Sequence, residues 1–140
     1  MKQNNMKERI AIVANESNKN SLIYWLYDNR KVLETHHLIA AGNVAGTIAG
    51  TVNTEVETLS DPTMGGDIEL ISLIEAGKVD IIFFFWDPMI IRSLTSDVNA
   101  LMRIAVSKNI VVAANEASAD VVLESLGSKE LKQEWMQKVG

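Results

Sequence analysis

The sequence predicts an α/β fold in which helices surround a mostly parallel sheet of five strands, and three observations predict it. Five short apolar segments alternate with segments of helical periodicity along the 140 residues, a pattern typical of β-α units. The segment Val79–Phe85 is apolar almost throughout, as in a strand buried on both faces of a parallel sheet. Small or polar turn residues follow the apolar segments, as they do where strands lead into helices.

The first β-α unit begins with a buried strand over Ile10–Ala14. Ser21 is a preferred N-cap residue type and is predicted to begin the helix that follows. His36–Ala41 is predicted as the second strand. The apolar residues of the first helix recur at helical spacing and predict a stripe that faces the core: Leu22, Trp25, Leu26 and Leu33.

A small-residue turn over Gly42–Gly50 is predicted to run into a short helix. Such a turn allows the backbone to approach a ligand closely. A short strand is predicted over Glu55–Leu59, and a polar loop follows it. The apolar residues of the short helix share one face: Val44, Ile48 and Val52.

The second half of the chain continues the alternation. A helix is predicted from Asp67 to about Ala76, ended by Gly77 as a left-handed cap. Val79–Phe85 should be the central strand. After Pro88, Ser96 or Asp97 is expected to cap a helix. Its apolar residues stand at i, i+3, i+4 and i+7: Val98, Leu101, Met102 and Ala105.

The chain is predicted to end in one strand and two helices. The strand is Ile110–Ala113, and the first helix is Ala117–Leu126. The second helix spans residues 128–140. Its apolar stripe predicts a core or subunit contact rather than a cofactor contact, and consists of Leu131, Trp135 and Val139.

Composition excludes several classes of protein. A chain with 47% hydrophobic and 22% charged residues is typical of one globular domain, here residues 1–140 with 1–8 as a flexible extension. The net charge of -5 and 13 scattered Lys and Arg residues argue against nucleic-acid binding. The longest apolar segment is too short to span a membrane. The absence of cysteine excludes disulfides and agrees with a cytoplasmic location.

Five turns are expected to meet at one edge of the sheet. Ligands of open α/β sheets bind beyond the carboxyl ends of the strands. Helix N-termini at this edge offer free amides and a positive dipole end, which favour a small anionic ligand. The residues and loop expected there are Asn15, Gly42, Ser60–Asp67, Asp87 and Asn115.

Several motifs together resemble those of the methylglyoxal synthase family, over roughly Arg9–Leu126. In chain order they are Ile10–Ala14, Lys19, Met64-Gly65-Gly66-Asp67, Glu75–Asp80, Phe84–Pro88, Asp97–Arg103 and Ala114-Asn115. The resemblance implies a doubly wound parallel sheet, a homohexamer, and the elimination of phosphate from dihydroxyacetone phosphate. It places the catalytic base of the family at Asp67 and its other acidic positions at Asp87 and Asp97.

The resemblance is weakest where the family holds its substrate. Asn15-Glu16 stands where the family has a His-Asp pair, and Leu94 stands where its carbonyl-polarising His is found. The family's Thr-Gly-Thr-Thr-Gly phosphate loop aligns with Ala41–Ala45, and its Ser-Gly-Pro with Asp61-Pro62-Thr63. Losing one electrophilic donor costs ~10²–10³ in rate, and each hydrogen bond lost to a charged phosphate costs about 1.5–3 kcal/mol. We therefore expect the pocket to be rebuilt for another ligand.

The rebuilt edge suits a nucleotide-derived ligand that is bound, sequestered or sensed without turnover. Lys19 can meet a phosphate, and Val44 or Leu94 can lie against a ring. The remaining predicted binding residues are Asn15, Glu16, Gly42, Asn43, Asp61, Thr63, Gly65, Gly66 and Asn115. The alternatives are an active methylglyoxal synthase with Asp67 as its base, and a purely structural or partner-binding protein.

Simpler interpretations of the same residues stay open. Asp67 and Asp97 are preferred helix caps, and Asp87 before Pro88 suits a turn. Lys19 also fits a solvated surface charge. His36 and His37 enter a strand without evident partners, so they are predicted to be structural. No metal and no cofactor are predicted.

Overall fold

The computed structural model describes residues 7–89 and 97–139. The strands are β1 (Arg9–Ala14), β2 (His37–Ala41), β3 (Val56–Leu59), β4 (Ile81–Phe85) and β5 (Val111–Ala113). The helices are α1 (Lys19–Asp28), α2 (Arg30–Leu33), α3 (Gly42–Thr51), α4 (Gly66–Glu75), α5 (Val98–Ser107) and α6 (Glu116–Val139). All five predicted strands are present, so the predicted α/β class is confirmed.

The five strands form one parallel sheet in the order β3-β2-β1-β4-β5. β1, rather than the predicted Val79–Phe85 segment, is therefore the central strand, and β4 lies beside it with a neighbouring strand on each side. The chain moves outward from β1 to β3 and then returns to add β4 and β5. The order reverses between β1 and β4, and such a switch point is where ligands bind in doubly wound folds.

Alternate residues of the strands supply two separate cores. The core formed with α1, α2, α3 and α6 contains Ile10, Ile12, Phe83 and Phe85, among others. The core on the opposite face, formed with α4 and α5, contains Ala11, Ile82 and Phe84, among others. Every residue of β4 is buried because successive side chains point to opposite faces and both faces are covered.

The first helical region differs from the prediction. α1 begins at Lys19 rather than after Ser21, because a 3-10 turn over Glu16–Asn18 leads directly into it. The single predicted helix is also two, since α1 ends at Asp28 and α2 begins at Arg30. Asn29 separates them, and its side-chain Nδ2 donates to the carbonyl of Trp25 over 2.8 Å.

The helices around the two glycine-rich segments also begin earlier than predicted. α3 starts at Gly42 itself, directly after β2, rather than after a turn. α4 starts at Gly66, one residue before Asp67. Its predicted end is confirmed, because Gly77 has a φ of 74°. The amides of Gly77 and Lys78 donate to the carbonyls of Ile74 and Leu73 over 3.1 and 2.9 Å, which is a Schellman motif.

The predicted break between two C-terminal helices is wrong. α6 is one helix of 24 residues, and Gly127 lies inside it. A Cβ at Gly127 would have no neighbour within 4 Å, so the position has room for a side chain. Glycine alone costs a helix only about 1 kcal/mol relative to alanine. Among the described helices, none is long and apolar enough to cross a membrane.

The two histidines have partners, contrary to the prediction. His36 is buried, and its Nδ1 accepts a hydrogen bond from the amide of Glu8 over 2.8 Å. His37 lies 2.7 Å from Oε1 of Glu57 through its Nε2, across the β2–β3 pair. Both histidines therefore support the edge of the sheet at the amino ends of its strands, as the structural interpretation predicted.

An ion pair closes the amino-terminal edge of the sheet between β1 and β4. Asp80 accepts hydrogen bonds from the amide, Nε and Nη2 of Arg9 over 2.8, 2.9 and 3.0 Å. The side-chain bonds from Arg9 are the main reason that the pKa of the Asp80 carboxyl lies below its usual value. The same pairing raises the pKa of Arg9.

Replacing Asp80 with Asn should lower the free energy of unfolding by about 1–2 kcal/mol at pH 7, since hydrogen bonds to charged groups are strong but this pair is partly exposed. A lowered pKa in the folded state means that the carboxylate stabilises the fold above its usual pKa of about 3.9 and stops doing so as pH falls through the lowered value. Urea unfolding from pH 7 to 3 measures this. Glu34→Gln, on an exposed residue, is the control, and an equal loss at pH 3 and pH 7 contradicts the assignment.

Candidate ligand-binding site

A cleft opens at the carboxyl ends of β1, β2 and β3, between α3 and α4. Together with its open mouth it encloses about 350 Å³, and its innermost part has room for about one water molecule. A ligand larger than water would have to bind at the mouth or displace the walls. The walls are mainly apolar, and the lining includes Ile39, Asn43, Val44, Leu59, Gly66 and Asp67.

Asn15 lies at the switch point itself. It follows β1, and its amide donates to the carbonyl of Phe85 at the end of β4 over 3.2 Å. Only 4% of the residue is exposed, and its Nδ2 has no hydrogen-bond partner among the described residues. A buried donor without a partner is costly, typically about 1–3 kcal/mol. Its position at the carboxyl ends of two strands therefore favours a role in binding.

A second, smaller cavity adjoins the cleft between α1 and α3. Asn15, Lys19, Asn43 and Thr47 line it, and it shares Ala14, Asn43 and Val44 with the cleft. The Oδ1 of Asn43 is also buried without a partner in the described part of the chain. The structure thus brings together four of the residues predicted from the sequence to bind ligand: Asn15, Lys19, Asn43 and Val44.

The N-terminus of α3 faces the cleft with no side-chain cap, since its N-cap is Ala41. The carboxylate of Asp61 lies against it, because Oδ1 is 3.0 Å from the position that a Cβ on Gly42 would occupy. The close approach predicted for this turn is therefore made by the protein's own side chain. Parallel pairing of β2 with β3 in the register Ala41↔Leu59 brings the two turns together.

The Gly65-Gly66-Asp67 turn is held by backbone geometry. Gly65 has a φ of 99°, a left-handed conformation that favours glycine. The amide of Gly66 donates to the carbonyl of Asp61 over 3.0 Å. Asp67 then lies in the first turn of α4, and its Oδ2 accepts a hydrogen bond from the amide of Asp97 over 2.7 Å. Two of the predicted acidic residues are therefore in direct contact.

Three other polar residues predicted for this edge make local hydrogen bonds: Asp97, Asp87 and Asn115. Asp97 caps α5 by accepting from the amide of Ala100 over 3.1 Å, as the capping interpretation predicted. Asp87 accepts from the amide of Met89 over 2.9 Å in a turn. Asn115 accepts from the amide of Ser118 at the start of α6. Glu16 lies in the 3-10 turn before α1, and Thr63 lies exposed in the 3-10 turn over Pro62–Met64.

Leu94 lies outside the described residues, so its predicted role stays a prediction. Glu69 was not predicted from the sequence. Its carboxylate accepts from the amide and the hydroxyl of Ser60 over 2.8 and 2.7 Å, and these bonds lower the pKa of Glu69. An acidic residue in the first turn of a helix is the only sequence signal of this contact. Glu69 fixes the start of the loop that carries Asp61.

No group of three His, Cys, Asp or Glu side chains in the described ranges could hold a metal ion. The site thus consists of amide, carboxylate and lysine groups around an apolar cleft. Such an arrangement can orient a small polar ligand through hydrogen bonds and can pack one apolar face.

Comparison with known proteins identifies the family. No family model matches the chain. The chain is 42% identical over 119 residues to the methylglyoxal synthase of Actinobacillus pleuropneumoniae serotype 3, an alignment that covers 85% of this chain and 78% of the relative. The chain belongs to the methylglyoxal synthase family. A second methylglyoxal synthase, from Photorhabdus laumondii, is 39% identical over 118 residues, with 84% of this chain and 78% of the relative covered.

A solved structure supports the same assignment. The crystal structure of methylglyoxal synthase from Elizabethkingia anophelis NUHP1 matches this fold with a TM-score of 0.77 and 34% sequence identity. The match covers 84% of this chain and 78% of that one. The family and fold implied by the sequence motifs are thereby confirmed.

Proposed function

We propose that this methylglyoxal synthase family member binds a small nucleotide-derived ligand at the cleft between α3 and α4 and does not eliminate phosphate from dihydroxyacetone phosphate. One observation carries the proposal. Asn15 Nδ2 and Asn43 Oδ1 are both buried without partners among the described residues, and they line one cavity beside the cleft. Amide groups of this kind recognise hydroxyls and base edges.

The residues that differ from the family pattern support the same proposal. In the alignment that the motif resemblance implies, Asn15 takes the place of a family His, and Asn43 and Val44 take the places of phosphate-loop threonines. An amide has no useful acid-base pKa, so Asn15 cannot exchange protons as a histidine does. Lys19 lines the same cavity and retains a positive charge for a phosphate group of the ligand. We propose that the protein binds this ligand to sequester it or to sense it.

The alternative is an active methylglyoxal synthase, and the Asp67–Asp97 contact favours it. The Asp97 amide holds the Asp67 carboxylate in one orientation, as a general base requires. In that reaction Asp67 would remove a proton next to the substrate carbonyl. The resulting enediolate would expel phosphate.

Two variants at Asp67 separate these functions. Asp67→Asn keeps an acceptor for the Asp97 amide but removes the base, whereas Asp67→Ala removes both. We expect no phosphate release from dihydroxyacetone phosphate above background for wild type. A panel of adenine and uridine nucleotides should raise the melting temperature by mass action, and should do so within a fewfold of the wild-type affinity in Asp67→Asn.

The opposite results favour the enzyme. Phosphate release by wild type that falls ~10²–10⁴-fold in Asp67→Asn would establish general base catalysis and end the proposal of binding without turnover. A nucleotide panel that leaves the melting temperature unchanged would also count against it. Mass spectrometry of the denatured, freshly purified protein identifies any ligand that copurifies.

We also propose that the protein acts in the cytoplasm as a homohexamer, in line with the family resemblance. Sedimentation velocity measures the assembly directly. A sedimentation coefficient that corresponds to the 15.4 kDa monomer at micromolar concentration would contradict the hexamer.

A further inference from the structure

The N-terminus of α3 has the charge preference of an anion site, and the chain places a carboxylate of its own beside it. The first amides of a helix have no partners within the helix and attract negative charge. Ala41 provides no side-chain cap, and Asp61 Oδ1 lies 3.0 Å from the Cβ position of Gly42. Asp61 therefore adds a negative charge where a phosphate group would otherwise meet the helix.

The unpartnered amide atoms nearby have a matching preference. Asn15 Nδ2 can only donate a hydrogen bond, and Asn43 Oδ1 can only accept one. The dianion of a phosphate monoester offers acceptors alone at its phosphate group, so this group satisfies Asn15 but not Asn43. A hydroxyl group both accepts and donates, so it can satisfy both. The buried donor and acceptor, and the acidic group, all favour a ligand that carries hydroxyls.

We propose that Asp61 is a specificity-determining residue that rejects a phosphate monoester at the N-terminus of α3 and accepts a hydrogen-bond donor there, such as the vicinal hydroxyls of a ribose. This ligand class rests on the proposed function, whereas the rejection of phosphate does not. Charge repulsion between two anions about 4 Å apart near a protein surface weakens the binding of the incoming anion by at least about tenfold.

The first experiment titrates inorganic phosphate into wild type, Asp61→Asn and Asp61→Gly by calorimetry at constant ionic strength. The Asp61 side chain makes no capping hydrogen bond in its 3-10 turn, so both variants should keep the fold. We expect both variants to bind phosphate at least about tenfold more tightly than wild type. The matched control is Asp28→Asn, which removes one negative charge from the exposed end of α1 and should leave phosphate binding unchanged.

Two outcomes overturn the rejection of phosphate by Asp61. One is equal phosphate affinity in wild type and Asp61→Gly, and this includes the case in which neither protein binds. The other is an equal gain in the Asp28→Asn control, which would show a general effect of net charge.

The second experiment compares ribonucleosides with their 2′,3′-dideoxy analogues by thermal shift. We expect adenosine or uridine to stabilise wild type and the dideoxy analogue to lose at least about tenfold in affinity, as buried polar groups left unpaired discriminate strongly. Equal stabilisation by both compounds overturns the hydroxyl preference. If no nucleoside or nucleotide binds, the proposed function and the ribose assignment fail together, and the phosphate titration still decides the role of Asp61.

Discussion

Gly66→Ala is expected to destabilise the protein by about 2–4 kcal/mol, because there is no space for even one methyl group at this position. A Cβ on Gly66 would lie 2.0 Å from the carbonyl oxygen of Ser60 and 3.1 Å from the carbonyl carbon of Asp61. Both contacts are with backbone, so no side chain can move aside. The turn would have to shift, and its hydrogen bond from the Gly66 amide to the Asp61 carbonyl would stretch.

The matched control is Gly46→Ala. Gly46 lies in the middle of α3, is exposed, and has no neighbour within 4 Å of the position that a methyl group would occupy. Alanine there should stabilise the helix by about 0.8–1 kcal/mol. Thermal unfolding measures both variants. For a domain of this size we expect the melting temperature to fall by about 10 °C in Gly66→Ala and to rise by about 3 °C in Gly46→Ala. A fall of less than about 3 °C for Gly66→Ala would show that the loop relaxes freely.

Gly66 also affects the candidate ligand-binding site, because it fixes the positions of Asp61 and Asp67. Its amide bonds the Asp61 carbonyl, and Asp67 is the next residue. A shift of the turn would move the Asp61 carboxylate away from the N-terminus of α3. It would also move the Asp67 carboxylate away from the Asp97 amide. Ligand binding should therefore weaken in Gly66→Ala even at temperatures where the variant is folded.

The strands could be predicted from the sequence because apolar periodicity is a local signal that packing then reinforces. The boundaries of strands and helices were predicted less accurately, because a local signal does not show where packing or pairing ends. Val79 is buried although it precedes β4, so its apolar character reports burial rather than strand pairing. Ser21 has the right chemistry for an N-cap, but the 3-10 turn that begins at Glu16 starts the helix earlier. Gly127 has the right chemistry to end a helix, but α6 continues through it.

The contacts among the predicted site residues could not be read from the sequence. Asp67 and Asp97 were both identified, yet their hydrogen bond spans 30 residues and depends on α4 and α5 packing on the same face of the sheet. Asp61 and Gly42 meet only because β2 and β3 pair in parallel with Ala41 beside Leu59. Contacts of this kind follow from register and packing, which single-sequence periodicity does not specify.

Phe83→Ala should destabilise the protein by about 3–5 kcal/mol, the cost of a large cavity in a packed core. Phe83 is fully buried in β4, and the ring of Trp25 meets it edge to face, with centroids 5.5 Å apart and planes at 84°. Trp25 is fixed in turn, since its Nε1 donates to the Asp120 carboxylate over 2.7 Å. This cluster joins the sheet to α1 and α6, so its loss loosens two helices together.

Phe83→Leu separates the two contributions in that cluster. Leucine keeps most of the volume and loses the ring contact, so we expect a loss of about 0.5–1.5 kcal/mol. Tyr24→Ala, on a side chain that is 75% exposed one residue before Trp25, should change stability by no more than about 0.5 kcal/mol. Urea unfolding measures all three variants, and the dependence of the unfolding free energy on urea concentration should be the same in each. If Phe83→Ala loses no more unfolding free energy than Phe83→Leu, the core collapses around the missing ring. In that case other contacts set the position of α1 beside the Asn15 cavity.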